Sequence, residues 1–180
     1  MFDISTAANI AEIGGGLAIL VSLAYVGYQI RQSNRIASAS ALQTILDRFS
    51  DRSINTYLEH PETTSILVRG HNGLDMLSLD ERQFFSSWQL REVFHMHNIM
   101  QLHTSGLLGD VDYQTWLSFT AAQVKTPGGQ QVWSAQKLTI NPTVVEMIET
   151  YIKENPDEPS FIELFPEAYG VNSHYLAPQD

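Results

Sequence analysis

Glu92-Val-Phe-His95 is the stretch of this sequence that comes nearest to metal chemistry. A glutamate and a histidine three residues apart on one helix can both project into a bundle core, the spacing that di-iron carboxylate bundles use to hold their metals. His103 lies eight residues beyond His95, a little over two turns, and so falls on the same face. Such sites draw a second Glu-x-x-His pair and further glutamates from neighbouring helices, and no second pair occurs here. Glu92, His95 and His103 are therefore only weak metal candidates. The competing reading is a half-buried histidine bonded to a glutamate one turn away, and no metal or cofactor is expected. His95 and His97 point about 200° apart on a helix and cannot share one ion. His60 before a proline, His71 in a polar turn and His174 near the C-terminus read as solvated surface residues.

Other chemistries lack their residues. The chain has no cysteine, which removes disulfides, thiolate metal sites and cysteine nucleophiles. There is no Gly-x-x-x-x-Gly-Lys-Ser/Thr loop, no His-Glu-x-x-His and no Gly-x-Ser-x-Gly. Gly14-Gly15-Gly16 has apolar neighbours and no following lysine, so it reads as helix packing rather than a phosphate loop. Ten basic against 20 acidic residues give a formal net charge of −10. That sign repels phosphate backbones, and no nucleic-acid partner is expected. From Glu146 to Asp180 there are eight acidic residues and one basic residue, Lys153, so the excess is concentrated towards the C-terminus.

Helices must position whatever this chain presents. After His60-Pro61, where a proline pushes its predecessor out of the α region, a short helix is predicted over 62–69. Gly70 and the turn His71-Asn72-Gly73 should end it. Ser78-Leu79-Asp80-Glu81 has capping-box spacing and opens a helix to about Ser105, with Gly106 as the stop. On that helix Phe84, Phe85, Trp88, Val93, Met96, Ile99, Met100 and Leu102 form the core face. Asp110 can cap a helix to about Val124, Thr126-Pro127-Gly128-Gly129 breaks the chain, and a helix follows over 130–138. Asn141-Pro142 supplies an N-cap and a first-turn proline for a last helix to about Lys153. Pro156, Pro159 and Pro166 exclude long helices beyond Asn155. Phe161, Leu164, Phe165 and Tyr169 in that tail need a surface, either the chain's own helices or a partner. No strand alternation and no internal repeat is present.

The N-terminal element is different in kind. Residues 13–30 read IGGGLAILVSLAYVGYQI, without a charge. Eighteen residues at about 1.5 Å each extend about 27 Å, the thickness of a bilayer's hydrocarbon core. Tyr25 and Tyr28 fall where aromatic rings prefer the headgroup level, and Arg31 and Arg35 follow at once. By the positive-inside tendency the body after the span is expected to be cytoplasmic. A cleaved signal peptide fits poorly, because no basic region leads the run and no small-residue cleavage site follows it. Gly14, Ala18 and Ser22 recur every four residues, a spacing that lets membrane helices approach closely. No Pro or Gly occurs over 31–59, so this helix should continue as a rod towards Pro61.

Ser22-Leu-Ala-Tyr25-Val-Gly-Tyr-Gln29-Ile-Arg31-Gln32-Ser-Asn34 resembles an uncharacterised group of small bacterial proteins. In these a single hydrophobic helix ends in a similar Tyr…Gln-Ile-Arg-Gln-x-Asn motif and leads into a helical domain. The likeness extends to Gly106-Leu107-Leu108, Trp116, Pro127-Gly128 and Trp133. It implies a bacterial source and a membrane anchor, and it carries no activity.

The expectation is thus an all-α protein with an anchor over 1–30, a helical domain over 31–154 and an irregular acidic, aromatic tail over 155–180. It would sit single-pass in the bacterial inner membrane as a non-catalytic accessory or scaffold subunit, partnered by other membrane subunits or by itself. The alternatives are a metal- or haem-dependent helical-bundle enzyme and a soluble helical module whose first helix is buried in a homo-oligomer.

Overall fold

The computed structural model describes residues 4–50, 61–170 and 172–176, and every regular element among them is helical. Helix α1 runs unbroken over Ile4–Ser50, 47 residues or about 70 Å. It has no proline to interrupt it, as expected. The remainder of the anticipated rod, up to His60, lies outside the described residues. By contact the chain falls into two compact units, Met1–Gln43 and Thr44–Asp180.

The second unit holds α2 (Pro61–Asn72), a 3-10 turn (Leu74–Met76), α3 (Leu79–Thr104), α4 (Asp110–Val124), α5 (Pro127–Gln136), α6 (Pro142–Glu154), α7 (Phe161–Leu164) and α8 (Pro166–Tyr169). Helix α3 packs on α4, α4 on α6 and α2 on α5, while α7 and α8 lie against α2. One apolar cluster joins Leu67, Leu77, Phe85, Trp88 and Val132. A second joins Val68 and Ala122 to Phe161 and Tyr169. The acidic tail thus forms two short helices and supplies part of the core, where an irregular segment was expected.

The strongest start signal acts as read. Ser78 Oγ accepts from the Glu81 amide at 3.4 Å, and Glu81 Oε2 accepts from the Ser78 amide at 2.9 Å. Glu81 also receives Arg69 of α2 in a two-point pair, at 2.6 and 3.2 Å. This guanidinium, followed by the Ser78 amide, holds the Glu81 carboxyl well below its usual range, at about 2. The stability it confers is therefore complete above its ordinary pKa, near 4.5, and is lost as the pH falls through about 2. Ser78→Ala removes half of the reciprocal cap. It is expected to lower stability by about 1 kcal/mol in a urea titration of the detergent-solubilised chain. At the far end of α3, Gly106 has φ +73, a left-handed stop suited to glycine.

Three local expectations need correction. Gly70 does not end α2, which continues to Asn72. A Cβ at Gly70 would lie 2.4 Å from the Phe85 ring, so this glycine serves close packing inside a helix rather than a turn. Thr126-Pro127-Gly128-Gly129 does separate α4 from α5 as expected, but α5 begins at Pro127 rather than at residue 130, so three of the four residues are helical. Thr126 caps α5, its Oγ1 accepting from the Gly129 amide at 3.1 Å, and Pro127 takes the first-turn position where its missing N–H matters least. Gly109, not Asp110, occupies the N-cap of α4. The Asp110 carboxylate meets His103 instead, Oδ1 to Nε2 at 2.8 Å.

Candidate functional site

In the first unit, every residue from 12 to 37 is exposed. Within α1 an 18-residue window of mean hydropathy 1.6 is long and apolar enough to cross a membrane, and none of it is buried. Gly14, Ala18 and Ser22 lie on this open surface, and a Cβ at Gly14 would meet nothing within 4 Å. Ser22 Oγ donates to the Ala18 carbonyl at 2.8 Å, so its hydroxyl is satisfied within the helix and needs no water. Tyr25 is 60% and Tyr28 63% exposed. Arg31 and Arg35 follow on the same free helix, and with Tyr28, Gln32 and Asn34 they line a shallow groove.

The three metal candidates on α3 do not come together. His95 is buried with its ring edge-on to Trp116, centroids 5.4 Å apart. Glu92 faces Arg91 Nε at 3.6 Å. His103, eight residues from His95 and so about 12 Å along the axis, stacks on Tyr113 at 4.1 Å while bonding to Asp110. Among the described residues no three His, Asp or Glu side chains gather in a way that could hold a metal ion. Of the expected core face, Phe85, Trp88, Val93, Met96 and Ile99 are buried, whereas Phe84 remains 39% exposed.

His71, read from sequence as a turn residue in water, is wholly buried within α2. Its ring is surrounded by Phe85 (5.1 Å) and Trp88 (5.4 Å) of α3 and by Phe161 (5.1 Å) and Tyr169 (5.5 Å) of the tail, centroid to centroid. Nδ1 lies 3.0 Å from Thr126 Oγ1. That hydroxyl already donates to the Gln123 carbonyl and accepts from the Gly129 amide. Only a lone pair is left for the imidazole, so His71 is the donor and the neutral ring carries its proton on Nδ1. Nε2 then holds a bare lone pair with no hydrogen-bond partner among the described residues. Burial alone pushes the imidazole down to about 3, because a charge there would have neither water nor a counter-ion. The missed signal was the spacing. Leu67, Val68 and His71 stand at steps of three and four on one face, and Arg69-Gly70 between them imitates a turn.

In the tail, Phe161 and Tyr169 are buried, while Leu164 and Phe165 stay 44% and 45% exposed. Lys125 Nζ secures the start of this segment by donating to the carbonyls of Asn155, Pro156 and Glu158. At its other end Asn72 Nδ2 donates to the Tyr169 carbonyl at 2.8 Å. His174 is exposed, as expected, and His60 lies outside the described residues.

Comparison with known proteins gives no family: no family model matches the chain, and no curated protein and no solved structure does so.

Proposed function

We propose that this chain is a non-catalytic accessory or scaffold subunit of a larger bacterial membrane protein complex, anchored single-pass in the inner membrane by residues 13–30, with the second unit in the cytoplasm. The observation that carries the proposal is the apolar surface of α1 within the first unit, none of whose best window is buried among the described residues. Ile13, Leu17, Ile19, Leu20, Val21, Leu23, Val26 and Ile30 all stand in the open. At about 1.5–3 kcal/mol for each side chain removed from water, covering the eight is worth on the order of 10 kcal/mol. Lipid supplies that cover along the whole run, and the Gly14, Ala18 and Ser22 stripe offers a seam for a neighbouring helix of another subunit or a second copy.

Arg31 and Arg35 favour the orientation, since cationic residues stay on the cytoplasmic side of a span. The likeness of residues 22–34 to single-helix bacterial proteins supports the same placement. The scaffold reading is favoured over the metal-dependent one by His95 and His103 of α3, which meet different partners, Trp116 and Asp110.

Native mass spectrometry of the protein solubilised from its own membranes tests the assembly. The expected mass is that of the 20.2 kDa chain together with further subunits or copies; a lone monomer under conditions that preserve other membrane complexes would overturn the subunit reading. Oligomers recovered without detergent from the soluble fraction would instead establish a module that covers α1 with copies of itself.

A further inference from the structure

We propose that His71 is an acid-sensitive latch for the C-terminal segment, and that protonation of its imidazole releases Phe161–Tyr169 from α2. The arrangement of the cover carries the argument. Two of the four rings enclosing His71 belong to the 26-residue α3, and the other two belong to helices of four residues each. A four-residue helix has no stability of its own, so α7 and α8 persist only through what they bury. The easiest way to bring water to the imidazole is thus to lift the tail, leaving Phe85 and Trp88 in place.

The neutral ring suits the closed state, donating through Nδ1 to Thr126 and meeting three of the surrounding rings edge-on and Phe161 at a tilt. A cationic ring does not, because a second N–H would appear at Nε2 with no acceptor. Among the described residues no carboxylate pairs with His71, and burial is the one influence that moves its imidazole. Tyr169 is the one titratable side chain among the rings that touch His71. Glu81 of α3 is turned to Arg69 and Ser78, Arg82 to the Leu77 carbonyl, and Glu163 of α7 to Ser160. Asp75, Asp80 and Glu167 are exposed, and α5 carries no ionisable side chain.

The sign follows from linkage. An opened His71 regains a value near 6.5, while the closed one stays neutral down to about 3. Between those limits the open form binds more protons, so the closed form is fully favoured above pH 6.5 and loses ground as the pH falls. Below pH 6.5 each pH unit raises the open population about tenfold, and above it hardly at all, so the rise between pH 7.5 and pH 5 is roughly 30-fold.

Hydrogen exchange read by mass spectrometry on the full chain in detergent micelles, corrected for intrinsic rates, tests the latch. Protection over 161–169 is expected to fall roughly 30-fold from pH 7.5 to pH 5, while α3 and α4 keep theirs. His71→Asn keeps a donor for Thr126 and has no proton to gain, so its tail protection should be independent of pH. Flat protection in the native chain, the same slope in His71→Asn, or equal loss across α3, α4 and the tail would each overturn the latch. If His71→Asn does not fold, the contrast between 161–169 and 79–124 in the native chain decides alone. Ring-nitrogen NMR adds an independent check: an imidazole titrating near 6.5 while the tail stays protected would also refute it.

Discussion

Gly128→Ala is expected to lower the stability of the second unit by about 3 kcal/mol or more, the upper end of overpacking effects. A Cβ built at Gly128 would lie 1.7 Å from the Gly70 carbonyl oxygen and 2.9 Å from its carbon. Both are backbone atoms, which cannot rotate away as a side-chain terminus would. The contact marks the crossing of α2 and α5, where Gly70 is itself hemmed in by the Phe85 ring and His71 reaches across to the α5 cap. Relieving the clash means separating the two helices, and with them the Thr126 bond and the Leu67–Val132 cluster. The expected measurement is a thermal midpoint lowered by at least about 10 °C relative to the native chain. Gly109→Ala provides the comparison. Nothing lies within 4 Å of a Cβ there, and the change at an N-cap position should remain under about 1 kcal/mol. Equal effects at Gly109 and Gly128 would contradict this account of the crossing.

The second large effect concerns α1. Leu20 stands near the middle of the uncharged run and is 65% exposed, so Leu20→Arg removes no packing within the chain. In lipid the same change places a guanidinium near the bilayer centre, which disfavours insertion by about 2.5–3.5 kcal/mol. Insertion measured with a glycosylation reporter on a tandem host protein should fall by roughly 100-fold in equilibrium constant, as about 1.4 kcal/mol corresponds to tenfold. Ser40→Arg, beyond the uncharged run, should leave insertion unchanged. If Leu20→Arg also left it unchanged, the run would not be the inserting segment.

Much of the helical architecture was legible because it rests on local chemistry. The box Ser78–Glu81, the cap Asn141-Pro142, the stop at Gly106 and the continuity of α1 each follow from side chains within four residues of the feature they specify. The misread segments depend on partners distant in sequence. Gly70 looks like a helix stop until Phe85 is seen filling the space its side chain would need. Gly128 and Gly129 look like loop residues until Gly128 is seen against Gly70 of α2 and Gly129 against the Gln123 carbonyl. His71 looks polar and exposed until Phe161 and Tyr169, some ninety residues later, close over it. The weak metal candidates illustrate the same limit: His95 and His103 share a helix face, but the rise between them and their separate ties to Trp116 and Asp110 are set by packing between helices. The uncharged run in α1 was readable from composition alone, since length and the lack of charge are properties of the segment itself.

Alkaline carbonate extraction of membranes from cells making the native chain tests the central claim most directly. A segment covered by lipid along its whole length should keep the protein in the membrane pellet and release it only with detergent. Quantitative release into the carbonate supernatant would contradict that claim, and the anchor, the orientation and the subunit role would all have to be abandoned.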